Sequence, residues 1–396
     1  MRKRWIELLA LVLGTIVFTI GCDCRGPAPV ADATATPPGP PPAMEKGKPW
    51  TFVVSGDSRN CGDVVMPAIA QGAAKHQAQF YWHLGDLRAI YRLDEDMVSA
   101  ARKKGKDLSI SDYWKTAWDD FEDYQIAPFG KIPFRIGIGN HETIPPKSRC
   151  EFAQRFGPWL HDPALRIPAA PQAKPGTKPP ADTCPADCSL QPPLYYSWTT
   201  ADDRVEFLYL DNASECEFDK AQLDWFKAAA DAASKSPTIQ SVVVGMHAAL
   251  PESISKGHSM NEWLGNPWPQ GVASGTEVYQ KLQWLKQQHK NVYVLASHSH
   301  YVMEDIYQTP YWRAHGGVLD GWIVGTAGAQ RYRLPEQATW AKFARTDVYG
   351  YLVGTVKADA SIEFKFEPIA ESDIPARVRD RYEDGFVNWC FAENKK

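Results

Sequence analysis

The chain has 396 residues, enough for one large domain or two ordinary ones, and its content of 44% apolar and 23% charged residues is ordinary for a soluble globular protein. The formal net charge of −4 excludes a generally basic surface, so no nucleic-acid partner is expected. The 15 tryptophans and 31 prolines favour a loop-rich protein with aromatic packing over a helical bundle.

The first 22 residues have the form of a signal peptide. Residues 2–4 are basic, and residues 5–21 are apolar apart from one glutamate. The segment ends in a motif that resembles a bacterial lipoprotein cleavage site, with Cys22 as the lipidated residue, although Thr19 stands where leucine is usual. An uncleaved membrane anchor and an ordinary cleaved signal are the alternatives. All three predict an extracytoplasmic body, in the periplasm or at the cell surface, and the first two attach it to a membrane.

Residues 23–48 are rich in proline, alanine and threonine, a composition that cannot bury a core. We expect an extended tether there. A folded domain over residues 49–370 and a C-terminal extension over residues 371–396 follow it.

Beyond Cys22 and Cys24, an even set of cysteines is compatible with disulfides, which persist outside the cytoplasm. They are Cys61, Cys150, Cys184, Cys188, Cys216 and Cys390. Sequence alone does not choose among their possible pairings. The spacing of Cys184 and Cys188 also suits a metal, but no second such pair follows, which disfavours a zinc site.

Five apolar runs each lead directly into a polar cluster. The runs are Trp50–Ser55, Phe80–Leu84, Phe134–Ile138, Val242–Val244 and Val292–Ala296. Continuous apolar runs are typical of strands that are buried on both faces. The polar residues that follow are Asp57, Asp86, Asn140, His141, Glu142, His247, His298 and His300. Open α/β sheets place their sites at the carboxyl ends of strands, so the pattern predicts one shared site.

Helical stretches lie between the predicted strands, for example Val64–Gln77, Lys220–Ala233 and Thr276–His289. This alternation predicts a layered α/β fold. Two insertions, at about residues 93–123 and 145–193, interrupt it. The first is polar and predicted helical, with Trp114 and Trp118 at helical spacing. The second is dense in proline and carries three cysteines, which predicts a loop. It is either a disulfide-stapled flap beside the site or a surface decoration without a role in substrate binding.

His298 and His300 lie two residues apart, so in an extended segment both side chains point to one side. Two histidines on one face after a strand favour a metal site over the core or surface role of a lone histidine. Taken alone, Asp57 or Asp86 would more often be a turn or helix-cap residue than a metal ligand. The glycines of residues 325–331 allow close approach to a ligand, although an ordinary tight turn is favoured.

Five motifs contain these polar residues in order along the chain: Gly56-Asp57, Gly85-Asp86, Gly139-Asn140-His141-Glu142, Val244-Gly245-Met246-His247 and Ser297-His298-Ser299-His300. Taken together, they resemble those of the calcineurin-like metallophosphoesterase family. The resemblance covers roughly residues 50–334 and implies a layered β-sandwich of two mixed sheets flanked by helices. Purple acid phosphatases have a related series, but their tyrosine ligand would fall at Ala89, which disfavours that subfamily.

The resemblance also implies a role for each polar residue. Asp86 would bridge two metal ions. One ion would be completed by Asn140, His247 and His298, and the other by Asp57 and His300. His141 resembles the general acid that protonates the leaving oxygen. Such a set of carboxylate and imidazole ligands suits divalent or trivalent ions, with Mn, Fe or Zn preferred, and two ions about 3.5–4 Å apart can clamp a phosphate and activate water.

Arg59 is the main departure, because the family commonly has a ligating histidine at this position. A guanidinium has no lone pair to donate and stays charged. Pointing inward, Arg59 would repel the first ion, or act in catalysis by holding a substrate phosphate bidentately. Two versions stay open: two bound ions, or one well-held ion working with Arg59. Ser297, where the family usually has glycine, is a milder departure.

The sequence therefore predicts a metal-dependent hydrolase that cleaves a small phosphate mono- or diester outside the cytoplasm. The alternative is a non-catalytic, metal-containing lipoprotein scaffold of the same fold, which Arg59 favours and an intact His141 disfavours. A phosphodiesterase acting on nucleic acid or nucleotides is a third possibility, although a net charge of −4 offers no general attraction to a polyanion.

Overall fold

The computed structural model describes residues 38–160, 162–168, 193–213 and 217–396. The signal peptide with Cys22, most of the tether, and Cys184, Cys188 and Cys216 lie outside these residues, so the predictions made for them stay predictions.

The strands of the described residues are β1 (Trp50–Ser55), β2 (Tyr81–His83), β3 (Phe134–Ile136), β4 (Tyr196–Thr199), β5 (Val205–Leu210), β6 (Ser241–Met246), β7 (Glu262–Trp263), β8 (Asn266–Pro267), β9 (Asn291–Ala296), β10 (Val302–Glu304), β11 (Asp320–Val324), β12 (Phe343–Arg345), β13 (Tyr349–Val356) and β14 (Ile362–Ile369). The α-helices are α1 (Gly62–Lys75), α2 (Glu95–Lys103), α3 (Ile110–Phe121), α4 (Arg149–Leu160), α5 (Lys220–Lys235), α6 (Pro269–Gln287), α7 (Pro310–Ala314), α8 (Ala376–Arg379) and α9 (Phe386–Ala392).

The strands form two large mixed sheets. The first has the order β14-β13-β1-β2-β3, in which β1, β2 and β3 are parallel. The second has the order β12-β10-β11-β9-β6-β5-β4, with parallel β5, β6, β9 and β11 at its centre. The predicted α/β class, with two mixed sheets flanked by helices, is confirmed. So are the five strands predicted from the apolar runs, which are β1, β2, β3, β6 and β9.

A layer of aromatic rings joins the facing sheets. The Phe52 and Phe207 ring centroids are 5.1 Å apart, as are those of Trp82 and Trp198. A Cβ at Gly245 on β6 would lie 2.3 Å from the Trp82 ring, so the glycine makes room for this indole. Burial of such large rings is the main stabilising contribution to the contact between the sheets.

Helices cover the outer faces of both sheets. Apolar residues of α1 pack with the first sheet, and those of α5 and α6 pack with the second. The three predicted helices are confirmed, although α6 begins seven residues earlier than the predicted Thr276, at Pro269. Within the described ranges, we find no helix that is both long and apolar enough to span a membrane.

The first insertion is helical, as predicted, and forms α2 and α3. For the second insertion, the prediction of a loop is wrong over α4. The high proline content favoured a loop, although this part of the sequence has an amphipathic pattern. Phe152, Phe156 and Leu160 recur every four residues and are buried against the core.

The C-terminal extension returns to the strand ends of the first sheet. A disulfide joins Cys390 in α9 to Cys61, directly before α1. The Asn394 side chain donates hydrogen bonds to Gly328 O (3.2 Å) and Tyr349 Oη (2.8 Å). Residues 371–396 therefore brace the loop that follows β11.

Candidate metal centre

The carboxyl ends of β1, β2 and β3 in the first sheet meet those of β6, β9 and β11 in the second. Main-chain hydrogen bonds hold this edge together. Gly56 N, just after β1, donates to Val324 O in β11 (3.0 Å), and Asp57 N donates to Gly85 O beyond β2 (3.0 Å). Because parallel strands end at a common edge, polar residues that are distant in sequence are brought together here.

Two groups of side chains converge closely enough to hold an ion. In each group, one ligand atom per residue lies within 4.8 Å of the others. The first group is Asp86, His247 and His298, and the second is Asp57, Asp86 and His300. Asp86 belongs to both, which is the bridging position that the family resemblance implies. Every metal ligand expected from the sequence is present at this edge, since Asn140 lies beside the first group.

The first group directs lone pairs toward one point. His247 Nδ1 donates to the Leu84 carbonyl oxygen (2.9 Å), so a neutral His247 carries its lone pair on Nε2. That Nε2 lies 2.9 Å from Asn140 Oδ1, 3.2 Å from Asp86 Oδ1 and 3.1 Å from His298 Nδ1. Carboxylate, amide and imidazole acceptors gathered in this way fit a cation. The carbonyl that fixes the His247 tautomer acts as the outer support that ligating imidazoles need.

A buried oxygen atom of Asp86 is a second, independent indication that a cation binds here. Asp86 Oδ2 is inaccessible to solvent and has no hydrogen-bond partner among the described residues. The neutral His141 Nε2 lies 3.6 Å from it, and the positively charged Arg59 Nε lies 3.9 Å from it. An unpartnered buried carboxylate oxygen is costly, and a cation at the shared position would satisfy it.

The second group is arranged differently, because Arg59 reaches into it. His300 Nδ1 donates to Gln330 O (2.6 Å), which leaves its Nε2 as the lone-pair atom. That Nε2 is 3.1 Å from Asp57 Oδ1 but accepts a hydrogen bond from the Arg59 guanidinium at 2.8 Å. An ion at Asp57, Asp86 and His300 requires this guanidinium to move away.

Arg59 also contacts the expected general acid. His141 Nδ1 donates to Ala89 O (2.6 Å), and its Nε2 accepts a short hydrogen bond from the Arg59 guanidinium. Arg59 is only 6% exposed. Its buried positive charge therefore contacts both His141 and His300, and Arg59 Nε lies 3.9 Å from Asp86 Oδ2.

Burial and this charge set the electrostatics of the centre. Burial alone would raise the pKa of Asp86, but His141, His247 and Arg59 outweigh it and hold the pKa well below its usual range. Burial followed by the Arg59 charge lowers the pKa of His141 to about 3 and also lowers the pKa of His300. Near pH 7 the Asp86 carboxylate is therefore ionised and His300 is neutral, the protonation states that metal ligands need, and His141 is neutral as well.

Glu142, which the sequence placed in the motif without a role, ties two of the loops together. Its carboxylate accepts hydrogen bonds from Gly139 N (2.7 Å), Asp86 N (2.9 Å) and Leu87 N (2.9 Å). The loops also touch directly, because a Cβ at Gly85 (φ +95°) would lie 2.5 Å from Gly139 N. Glu142 and this glycine contact fix Asp86 relative to Asn140.

The loop of residues 325–331 approaches protein groups closely. A Cβ at Gly325 would lie 2.4 Å from Ser299 O and 2.9 Å from Asp57 Oδ2. Ala329 N donates to Asp57 O (2.9 Å). The loop is therefore more than an ordinary tight turn, because its backbone packs against Asp57 and supports the second donor group.

Three side chains at the centre escaped the sequence analysis. The Tyr332 ring stacks on His300 at 4.0 Å, the His258 ring lies 5.5 Å from His298, and the Tyr91 ring lies 5.2 Å from His141. His258 is exposed and lies beside His298. None of these residues follows a predicted strand at the positions that the motifs occupy, so the sequence carries no signal for them.

Comparison with known proteins gives little beyond this geometry. No family model matches the chain, and a search of curated proteins found no match. Among solved structures, the chain is similar to one described as the structure of PhoD, with 16% sequence identity and a TM-score of 0.48. The similarity covers 85% of this chain and 73% of that chain.

Proposed function

We propose that this protein is a metal-dependent hydrolase of phosphate esters that acts outside the cytoplasm. One observation carries the proposal: two ion-sized groups of carboxylate and imidazole ligands share Asp86 at the joined carboxyl ends of the two sheets. The resemblance of the five motifs to calcineurin-like metallophosphoesterases supports the same chemistry.

The chain's own residues supply binding and proton transfer. Asp86, Asn140, His247 and His298 would hold an ion, which as a Lewis acid would polarise phosphate oxygens and lower the pKa of a water ligand. Arg59 has a fork of donors that suits phosphate oxygens and lies beside the ion-binding groups. His141 would bind the leaving oxygen and protonate it.

His141 needs a proton for this role, although its pKa is lowered to about 3 without substrate. A phosphate dianion bound between Arg59 and His141 would form an ion pair with the Arg59 guanidinium, so the guanidinium charge would no longer lower the pKa of His141. It would also favour the protonated imidazole, because an opposite charge nearby raises the pKa of a histidine. Ala89 O keeps the proton on Nδ1, so Nε2 faces Arg59 and receives the additional proton.

The contacts of Arg59 favour one well-held ion over two. The first donor group fits an ion as it stands, whereas the second has its His300 lone pair occupied by the guanidinium. The chemistry of the ligands suits Mn, Fe or Zn. The scaffold alternative draws on the same Arg59, but His141, the proposed general acid, is intact beside it, and a scaffold has no use for a general acid.

Activity against aryl phosphate mono- and diesters with Mn, Fe, Zn and Mg tests the proposal. We expect the wild type to hydrolyse at least one class, and both His141→Ala and Asn140→Ala to lose most of that rate. Equal rates in all three proteins would exclude the mechanism. Binding of an ion with no hydrolysis of any ester would favour the scaffold.

The extracytoplasmic location and membrane attachment are part of the proposal and rest on the first 22 residues. The Cys61–Cys390 disulfide supports them, since disulfides persist in oxidising compartments. Labelling of the expressed protein with a radioactive fatty acid would test lipidation, with Cys22→Ala as the matched control.

A further inference from the structure

From the turn beside the centre, we propose that Tyr91 is a stacking platform for the leaving group, and that the preferred substrates are phosphate esters with a flat aromatic ring on the leaving side. This inference rests on the proposed phosphoester hydrolysis. It concerns the turn of residues 88–91, which follows the Asp86 loop.

Tyr91 is a large ring that the fold leaves in solvent. It is 54% exposed, yet its ring centroid lies 5.2 Å from that of His141. His141 is the group that would protonate the leaving oxygen, so a ring attached near that oxygen passes alongside Tyr91. Arg92 lies over the Tyr91 ring at 5.4 Å and adds positive charge to the same rim.

One carbonyl fixes both partners. Ala89 O accepts hydrogen bonds from His141 Nδ1 (2.6 Å) and from Tyr91 N (2.7 Å). The backbone of Tyr91 is therefore held next to the general acid. An aromatic side chain has few rotatable bonds, so it binds a flat partner with little loss of conformational entropy.

The residue before Tyr91 is held in a strained conformation. Ile90 has φ +60°, a region that β-branched residues rarely adopt. Two aromatic side chains of α3 hold it there: Tyr113 Oη accepts from Ile90 N (3.0 Å), and Trp114 Nε1 donates to Ile90 O (2.9 Å). The Ile90 side chain is buried with Met97 and Tyr113 in a small separate core.

On this proposal, the function of the first insertion is to hold Tyr91 beside His141. Strained backbone persists only where surrounding structure enforces it, and it concentrates at ligand-binding sites. Here α2 and α3 enforce a turn that buries Ile90 and turns Tyr91 outward beside His141. A relaxed turn would need neither the strain nor the two aromatic hydrogen bonds.

A matched pair of esters tests the proposal. Benzyl phosphate and cyclohexylmethyl phosphate have leaving alcohols of similar acidity and size, but only the first has a flat ring. We expect the wild type to prefer benzyl phosphate in kcat/KM by about threefold to tenfold, the range that aromatic pairing gives. A second pair, a nucleoside 5′-monophosphate and ribose 5-phosphate, places the ring one sugar further away.

The preference should disappear in Tyr91→Leu and persist in Tyr91→Phe, which keeps the ring. Tyr311→Leu, at another exposed tyrosine, is the control and should leave the preference unchanged. If Tyr91→Leu loses the preference for benzyl phosphate, the ring that Tyr91 binds lies next to the leaving oxygen. If it loses only the preference for the nucleotide, the ring that Tyr91 binds is a nucleobase. An unchanged preference in both pairs, with melting temperatures that show folded variants, overturns the role of Tyr91. If the wild type hydrolyses no ester with any metal, the proposed function itself fails.

Discussion

The two donor groups of the centre share Asp86, contain similar ligands and still differ in what faces their imidazoles. Around His247, the neighbouring atoms are acceptors, namely Asn140 Oδ1 and Asp86 Oδ1. Around His300, the neighbouring atoms include the Arg59 guanidinium, a donor with a permanent positive charge. Ligand type alone therefore does not make a metal site. The sign of the charge within hydrogen-bond distance decides which group is ready for an ion.

Removing one histidine from each group gives the largest expected contrast. His298→Ala should lower kcat/KM by at least about 100-fold and remove the bound ion. The reason is that His298 belongs to the first donor group, whose ligand atoms can hold an ion without any side chain moving. His300→Ala should have a smaller effect on metal content. Steady-state kinetics and elemental analysis of the purified proteins measure both. Equal loss of metal in the two variants would erase the distinction between the groups.

Arg59→His removes the positive charge from the second group and supplies a lone pair in its place. At an effective dielectric constant of about 20, the repulsion between a guanidinium and a positive unit charge about 4 Å away costs about 4 kcal/mol. We therefore expect a second ion to bind at least about 100-fold more tightly, and metal content to rise from one ion per chain toward two. Elemental analysis and calorimetric titration with Mn provide the measurement.

Arg92→His, at an exposed arginine on the rim, is the matched control for that experiment and should leave the metal content at one. A wild type that already holds two ions with similar affinity would contradict the assignment of Arg59.

Glu142→Gln tests the support of the first group without touching a ligand. The wild-type carboxylate accepts three backbone N–H groups, and an amide nitrogen in place of either oxygen faces at least one of them. We expect a loss of about 1–3 kcal/mol in the free energy of unfolding and about tenfold weaker metal binding. Urea denaturation of the metal-free protein and Mn titration give the two numbers. Unchanged metal affinity in a destabilised variant would mean that Glu142 supports the fold alone.

His83 gives the smallest effect and concerns the second group, because its Nε2 donates to Ser58 Oγ (3.0 Å), between Asp57 and Arg59. Burial lowers the pKa of His83 to about 3. A depressed pKa stabilises the folded protein above the unfolded pKa of about 6.5, and this stability is lost as the pH falls toward 3. Between pH 7.5 and 5.5, the free energy of unfolding of the metal-free wild type, measured by urea denaturation, should fall by about 1–2 kcal/mol more than that of His83→Phe. Parallel losses in the two proteins would mean that His83 is protonated in the fold.

Strands at the centre of both sheets were predictable because they are buried on both faces and read as continuous apolar runs, as in β1 and β9. The hairpin of β13 and β14 was not predicted. In β14, exposed and buried residues mix, so its apolar pattern is weaker, and pairing with β13 holds it in the sheet. Helix α4 was missed for a related reason, since its prolines outweighed the spacing of its phenylalanines.

The candidate ligands can be identified from the sequence, because each follows an apolar run and such strands end together at one edge of a sheet. Their division into two groups with different charged neighbours depends on contacts between distant parts of the chain. The contacts of Arg59 with His300 and His141 join residues 241 and 82 positions apart, and no local pattern records the direction of a buried guanidinium. The same holds for Tyr91, whose place beside His141 depends on a strained turn that α3 enforces from outside the motif. Local physics sets which elements form, and long-range packing sets the charge that each ligand faces.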